Sequence, residues 1–203
     1  DPVKAELLPA GESPVRVEIA DPNRCFRYSA LRFENVKVGP SPAWLRTRLQ
    51  SIGVNSINSV VDVTNYLMAE LPQPTHAFDA DKLAGDAIFV RTARAGESLA
   101  ALNGETYKLT ETDLVIADAS GAIALAGVIG GMATAISEHT TRIVFESANF
   151  EASGVRLTSS RYKLRTDASI RFEKSLDPEN TVRGLARLTA SMRRSCRPGR
   201  LRL

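Results

Sequence analysis

The sequence predicts an α+β fold in which mixed or antiparallel sheets pack against helices. Short segments of alternating apolar and polar residues recur along the chain, as in strands with one buried face. Helical segments interrupt them without the regular strand–helix alternation of a doubly wound parallel sheet. The 203 residues suffice for one large domain or two small fused ones, and the hydrophobic content of 43% is ordinary for a globular protein with a sizeable core.

Strands are predicted where short apolar runs alternate with polar residues or lie between turn signals. These segments are 15–19 (VRVEI), 28–38 (YSALRFENVKV), 88–93, 114–118, 122–126 and 142–148 (RIVFESA). The pair Asn103-Gly104, between Leu99 and Leu109, indicates a further hairpin because both residues favour the backbone of a tight turn.

Helices are predicted between capping residues and helix breakers. Ser41 caps the first helix, which has Pro42 in its first turn and Gly53 after its end. Asn58 caps a second helix that ends near Leu71, where two prolines follow. The remaining helical segments are 150–164, which leads into a polar connector at 165–169, and 177–194, which Asp177 and Pro178 open.

Composition narrows the possible functions. No apolar run approaches the ~20 residues that span a bilayer and the N-terminus is no signal peptide, so we expect a cytoplasmic protein without membrane contact. Because the chain opens without Met, we expect a processed product or an excised piece of a longer protein. Cys25 and Cys196 lack metal-type or redox spacing and are expected to be free thiols.

The net charge of +3 does not describe a generally basic protein. The last fourteen residues carry five arginines and no acid, and subtracting those five charges leaves −2 for the remainder. A second positive zone is local, and its basic residues are Arg156, Arg161, Lys163, Arg165, Arg171 and Lys174. Such a cluster can neutralise phosphates, or it can be the solvated face of an amphipathic helix.

The segment 60–78 (VVDVTNYLMAELPQPTHAF) is the most informative part of the chain. Thr64 and Asn65 lie in its helical run, and His76 follows Pro74, which stiffens the approach to the histidine. A buried Thr-Asn pair near a rigidly held histidine can position a water and a carbonyl, and histidine readily exchanges a proton near neutral pH. The alternative is a capped helix and a histidine that hydrogen-bonds only to backbone.

Two further features can belong to a site. The glycine-rich bend 126–131 (AGVIGG) lets the backbone approach a neighbour closely, or it is simply a tight turn that needs positive φ. It has neither dinucleotide-binding nor phosphate-loop spacing. Glu146 has apolar neighbours that suggest burial, so it should have a hydrogen-bonding partner or ligand, unless its strand places it outward.

Four long motifs occur in the order found in one protein family. They are VVDVTNYLMAELPQPTHAFDADKL, LAGVIGG, FESANF and SSRYKLRTDASIRFEK. Residues 15–190 resemble the central editing domain of the beta subunit of bacterial phenylalanyl-tRNA synthetase. The resemblance implies one α+β domain of two interleaved modules that hydrolyses tyrosine from mischarged phenylalanine tRNA. Residues 1–14 would be a lead-in, and residues 191–203 a basic tail that departs from the family pattern.

The resemblance also implies the roles of individual residues. Thr64, Asn65 and His76 would be the catalytic residues beside the ester. Pro74, Ala126, Gly127, Glu146 and Ala168 would bind the substrate, with Glu146 at the tyrosine phenol and Ala126 and Gly127 as a backbone wall. Independently of the resemblance, the basic zone leads us to expect that Arg161, Lys163 and Arg165 contact tRNA phosphates. Each of the catalytic and substrate-binding positions holds the residue that the family motif expects.

Elementary chemistry agrees with this assignment. Tyrosine and phenylalanine differ by one hydroxyl, and a pocket built to hydrogen-bond that hydroxyl rejects phenylalanine by ~10⁴-fold at best, because its polar groups are left unpaired. Hydrolysis of an activated ester needs a placed water more than a strong nucleophile. We expect Thr64 and Asn65 to hold the water and the carbonyl, and His76 to orient the terminal ribose or the water.

The remaining expectations concern partners and cofactors. No metal or cofactor is expected here, since ATP and Mg²⁺ belong to other parts of the synthetase. The expected partners are the acceptor end of the tRNA, the rest of the beta subunit and the alpha subunit in an α2β2 assembly. The alternative is a tRNA-docking or structural module without hydrolytic activity of its own.

Overall fold

The computed structural model describes residues 15–85 and 87–195, and its larger sheet has five strands. In spatial order these strands are β1 (Arg16–Ile19), β4 (Ala87–Thr92), β7 (Leu114–Ala117), β8 (Ala122–Leu125) and β9 (Ile129–Gly130). β1 pairs with β4 in parallel and every other pair is antiparallel, so the sheet is mixed. The predicted hairpin is present as the antiparallel pair β5 (Ser98–Ala100) and β6 (Thr106–Lys108).

A second, antiparallel sheet has three strands. Its central strand is β10 (Ile143–Phe150), with β2 (Cys25–Phe33) on one side and β3 (Thr75–Asp79) on the other. All eight residues of β10 are buried, as expected of a central strand that is covered on both faces. This sheet therefore lies inside the domain.

The chain passes repeatedly between the two sheets. β1 belongs to the larger sheet, β2 and β3 to the smaller one, β4 and β7 to β9 again to the larger one, and β10 returns to the smaller one. The helices are α1 (Ala43–Ser51), α2 (Ser59–Glu70), α3 (Ala152–Tyr162), α4 (Asp167–Phe172) and α5 (Asn180–Ser195). The fold is thus α+β with two interleaved modules, as the sequence and the family resemblance predict.

The smaller sheet separates two hydrophobic cores. On one face, Tyr28, Phe78 and Val144 pack with the five-stranded sheet, and we call this the sheet core. On the other face, Phe33 and Phe145 meet edge to face at 5.4 Å and pack with α1, α2 and α5, and we call this the helical core. Successive residues of a strand point to opposite faces, so adjacent residues of β10 serve different cores.

Local capping explains most helix boundaries. The Asn58 side chain accepts hydrogen bonds from the Val60 and Val61 N–H groups, which confirms it as the cap of α2. The prediction that Ser41 caps α1 is wrong, because Pro42 occupies that position. The Ser41 hydroxyl instead donates to the buried Asp62 carboxylate at 2.5 Å. The Ser41 side chain thus joins the start of α1 to α2 rather than capping a helix.

Three other predictions need correction. The strand predicted at 28–38 lies at Cys25–Phe33, and Asn35 has a left-handed φ of 57°, which is incompatible with a continuing strand. The segment that carries His76 is a strand, β3, which was not predicted. The connector predicted at 165–169 is largely α4, which a capping box between Thr166 and Ser169 opens.

The ends of the chain lie partly outside the described residues. The predicted lead-in 1–14, Cys196 and the last part of the basic tail, 196–203, lie outside them. Residues 191–195 continue α5 through Ser195, and Arg194 lies over the Trp44 ring at 4.4 Å from its centroid. This part of the predicted tail is therefore part of the folded domain.

Candidate active site

A cavity lies between the two sheets, where the glycine-rich bend and α4 face β3 and β10. Its volume of about 80 Å³ is large enough for several water molecules. Six of the residues predicted for the site lie in its lining: Pro74, His76, Ala126, Gly127, Glu146 and Ala168. Residues from four separate stretches of the chain meet here, which no local pattern could show.

Strand pairing places Glu146 beside His76. The two residues are directly opposite each other in the register of β10 and β3, so their side chains leave the same face of the small sheet. That face borders the sheet core. The predicted burial of Glu146 is confirmed, since only 7% of the residue is exposed.

Glu146 has the hydrogen-bonding partner that its burial demands. The Tyr28 hydroxyl, on β2, donates to Glu146 Oε2 at 2.8 Å. Burial raises the pKa of Glu146 to about 7, whereas the hydrogen bond from Tyr28 lowers it. Tyr28 was not among the predicted site residues, because the pairing of β2 with β10 that brings it here cannot be inferred from the sequence.

His76 presents an unpaired nitrogen. Its Nε2 atom is buried and has no hydrogen-bonding partner among the described residues, and its ring meets Phe78 edge to face at 4.6 Å. Burial lowers the pKa of His76 to about 4, so the imidazole is neutral at physiological pH. A neutral imidazole with a free nitrogen can orient a hydroxyl or a water.

The glycine-rich bend is both a tight turn with positive φ and a place of close backbone approach, the two interpretations that the sequence left open. Gly127 has a φ of +69° in the turn closed by the hydrogen bond from the Val128 N–H to the Leu125 carbonyl. Gly130 is needed for close approach, because a Cβ there would lie 2.7 Å from His76 Nε2. The bend therefore forms a backbone wall against which the imidazole packs.

Thr64 and Asn65 are not part of this lining. They lie on α2, whose apolar residues belong to the helical core on the other face of the small sheet. The Thr64 hydroxyl donates to the Val61 carbonyl at 2.7 Å, within its own helix. Their catalytic role stays a prediction.

The three predicted tRNA contacts differ in their surroundings. Arg161 is ion-paired with the buried Asp113, which also accepts a hydrogen bond from Tyr162 at 2.5 Å. Arg165 is paired with Glu173 at 3.4 Å. Lys163 is exposed and ends α3 in a left-handed conformation. Arg161 therefore helps to hold α3 against the five-stranded sheet, whatever else it contacts.

The described residues offer neither a metal site nor a membrane-spanning helix. Within 15–85 and 87–195, no three His, Cys, Asp or Glu side chains lie close enough to hold a metal ion. No helix in that part of the chain is long and apolar enough to span a bilayer.

Comparison with known proteins identifies the family. The model of the B3/4 domain matches residues 24–197. The chain belongs to the B3/4 domain family. The match includes both sheets except β1, and it includes every residue of the cavity named above. This B3/4 domain therefore carries its cavity in the part that the family shares.

Relatives with similar sequences carry one description. The phenylalanine–tRNA ligase beta subunit of Solibacter usitatus is 64% identical over 193 residues, which are 95% of this chain and 25% of that protein. The corresponding subunit of Anaeromyxobacter dehalogenans is 50% identical over 89% of this chain and 23% of its own length. The chain thus spans about a quarter of the curated relatives that it matches.

A more distant likeness is to a solved N-terminal fragment of the phenylalanyl-tRNA synthetase beta-subunit from Pyrococcus horikoshii. The TM-score is 0.49 and the sequence identity is 14%, over 77% of this chain and 51% of that fragment.

Proposed function

We propose that this B3/4 domain is the proofreading domain of a phenylalanine–tRNA ligase beta subunit and hydrolyses tyrosine from mischarged phenylalanine tRNA. The main support for this proposal is the cavity in which Glu146 and His76 face each other across β10 and β3, beside the backbone turn at Gly127. The relatives described as phenylalanine–tRNA ligase beta subunits support the choice of substrate.

Glu146 provides the means of distinguishing tyrosine from phenylalanine. A carboxylate oxygen can accept a hydrogen bond from the tyrosine phenol, and the Gly127 N–H can donate to the same phenol. Phenylalanine would enter the cavity without pairing either group, and an unpaired buried polar group is costly. A site of this kind rejects the substrate that lacks the hydroxyl, which is the requirement for proofreading.

His76 acts in this proposal by orientation. With a pKa of about 4 the imidazole is a weak general base at neutral pH, where efficient bases have a pKa close to the working pH. Its free Nε2 can hold the attacking water or a ribose hydroxyl of the terminal nucleotide. Thr64 and Asn65 would position the water or the carbonyl, a role that requires the substrate to reach towards α2.

The whole synthetase would supply what this domain lacks. We propose the tRNA acceptor end, the remainder of the beta subunit and the alpha subunit as its partners, in the cytoplasm where translation occurs. Exposed Lys163 and the outer sides of Arg161 and Arg165 would meet tRNA phosphates. Such contacts weaken as salt is added, because binding releases counterions from the nucleic acid.

The test measures release of tyrosine from pre-formed Tyr-tRNA(Phe) and of phenylalanine from Phe-tRNA(Phe). The wild-type chain should release tyrosine at least ~100-fold faster than phenylalanine, well within the ~10⁴-fold ceiling of a hydroxyl-reading site. Glu146→Ala should reduce that preference to within a few-fold. Glu105→Ala, which changes an exposed glutamate, is the matched control and should behave as wild type.

Two results would overturn the proposal. Equal release of both amino acids by the wild type would mean that the cavity does not read the hydroxyl. Absence of hydrolysis by the folded chain, both alone and within an assembled α2β2 enzyme, would favour the alternative of a tRNA-docking module.

A further inference from the structure

The Tyr28 side chain occupies an unusual place, because it reaches the proposed specificity residue without reaching the cavity. It is 8% exposed and lies on β2, one strand away from Glu146, with Ala148 as its direct neighbour on β10. Its hydroxyl crosses diagonally to Glu146 Oε2 at 2.8 Å. Tyr28 is not in the lining of the cavity, whereas Glu146 is.

The two oxygens of Glu146 can therefore serve two phenols. One oxygen is held by the phenol of Tyr28, and a carboxylate has about four acceptor positions, so the other oxygen can accept from a second phenol. The Tyr28 phenol presents to Glu146 the same chemical group that a substrate tyrosine would present. An internal tyrosine thus orients the carboxylate and favours the ionised, accepting form that a substrate phenol needs.

We propose that Tyr28 is a specificity-determining positioning residue: its hydroxyl orients the Glu146 carboxylate and keeps it a hydrogen-bond acceptor for the substrate phenol. This inference rests on the proposed function. The family motifs that identify the other site residues do not include Tyr28, which lies outside the four segments quoted above.

Electrostatics support this role. Burial favours the neutral form of Glu146, which would carry a proton and lose its purely accepting character, and the Tyr28 hydrogen bond opposes that effect. Burial and the charge of Glu146 raise the pKa of Tyr28 well above its ordinary value, so the hydroxyl keeps its proton and remains a donor. Without Tyr28, a larger fraction of Glu146 would be protonated at pH 7.

The other groups around Glu146 do not titrate in the relevant range. His76 on β3 has its pKa lowered to about 4, and the Cys25 thiol on β2 has its pKa raised to about 12, in both cases chiefly by burial. The glycine-rich bend and α4 present only apolar side chains and backbone to the cavity, at Ala126, Gly127 and the nearby α4 residues. A titration observed in the cavity between pH 5 and 9 therefore belongs to Glu146.

The test compares Tyr28→Phe, which removes only the hydroxyl, with Tyr66→Phe. The control is closely matched, because the Tyr66 hydroxyl also donates to a carboxylate, that of Glu70 at 3.0 Å, but belongs to the helical core. The first readout is the carboxyl ¹³C titration of Glu146, assigned by its absence in Glu146→Gln. The second readout is the Tyr-over-Phe preference in ester hydrolysis as a function of pH.

In Tyr28→Phe the midpoint of the Glu146 titration should rise by about one pH unit or more, because the variant loses a hydrogen bond that stabilises the charged carboxylate. The preference for tyrosine should fall about tenfold at pH 7 and recover above the new midpoint. Tyr66→Phe should change neither the midpoint nor the preference. A role in packing alone would not produce recovery at higher pH.

The outcomes separate this inference from the proposed function. If the wild type shows no preference for tyrosine, the proposed function fails, and the titration still tests whether Tyr28 controls Glu146. If the Glu146 midpoint is unchanged in folded Tyr28→Phe, Tyr28 does not control the carboxylate and the inference is wrong. If the midpoint rises but the preference stays constant, Tyr28 does not determine specificity and the inference is likewise overturned.

Discussion

At the scale of single residues, Glu146 and His76 change the stability of the domain with pH in opposite directions. The pKa of Glu146 is raised to about 7, so its contribution to stability is complete below pH 4.5 and declines as the pH rises to 7. The pKa of His76 is lowered to about 4, so its contribution is complete above pH 6.5 and declines as the pH falls to 4. Between pH 4.5 and 6.5 the fall in stability caused by Glu146 and the rise caused by His76 largely cancel.

Glu146→Gln should reveal this cancellation. The variant no longer needs to ionise a buried carboxyl, so its stability relative to wild type should increase by about 2 kcal/mol between pH 5 and pH 7. Urea unfolding at several pH values measures the free energy of unfolding directly. Glu105→Gln is the control, and its curve should run parallel to that of the wild type.

A difference between Glu146→Gln and wild type that stays constant across this range would contradict the assigned burial of the carboxyl.

The sequence could predict that Glu146 is buried, because apolar residues flank it in a strand. It could not predict Tyr28 as its partner, since a diagonal contact across two strands depends on the register between β2 and β10. Residue types are visible in a sequence, whereas cross-strand neighbours are not.

At the scale of elements, the short helix α4 closes one side of the cavity. Its capping box pairs Thr166 Oγ1 with the Ser169 N–H at 3.1 Å and Ser169 Oγ with the Thr166 N–H at 3.0 Å. The Thr166 hydroxyl also donates to the Val128 carbonyl at 2.8 Å, in the glycine-rich bend. One hydroxyl thereby begins the helix and joins it to the opposite wall of the cavity.

Thr166→Ala should therefore destabilise the domain by about 1–2 kcal/mol, which combines the loss of a helix cap and of one further hydrogen bond. Thr166→Ser keeps the hydroxyl and is the matched control. Urea unfolding gives the stability change, and NMR chemical shifts of Ala168 and Phe172 report whether α4 moves. Wild-type stability in Thr166→Ala would show that packing of Phe172 against Phe150, at 5.1 Å, holds α4 without the cap.

The elements that were predicted poorly are those whose signals are short. β3 has only five residues and follows two prolines, so its alternation is too brief to separate it from a loop. α4 has six residues, and its capping box uses serine instead of the more familiar glutamate or glutamine. The longer α2 agrees with its prediction to within a residue at each end. The C-terminal end of α5 agrees equally well, but the prediction that Asp177 and Pro178 open this helix is wrong, because they form a turn and α5 begins at Asn180.

At the scale of the whole molecule, the small sheet belongs to two cores at once. Phe145 of β10 faces the helical core, while Val144 and Ala148 face the sheet core. The sequence shows that β10 is apolar throughout, but only the structure shows which residues serve which core. Neither core can lose its packing without exposing one face of the shared sheet, so we expect the described domain to unfold as one cooperative unit.

This expectation can be tested with the single tryptophan of the chain. Trp44 meets Tyr66 edge to face at 5.6 Å and packs against the helical core, so its fluorescence reports on that side of the molecule. Ile88 is fully buried in β4 and belongs to the sheet core. Ile88→Ala should destabilise the domain by about 2–5 kcal/mol. It should lower the unfolding midpoint measured by Trp44 fluorescence as far as the midpoint measured by circular dichroism, because both cores unfold together.

Leu157→Ala is the control, since Leu157 is 61% exposed, and it should leave both midpoints nearly unchanged. A Trp44 midpoint that stays at its wild-type value while circular dichroism shows earlier loss of structure would mean that the helical core is stable without the sheet core.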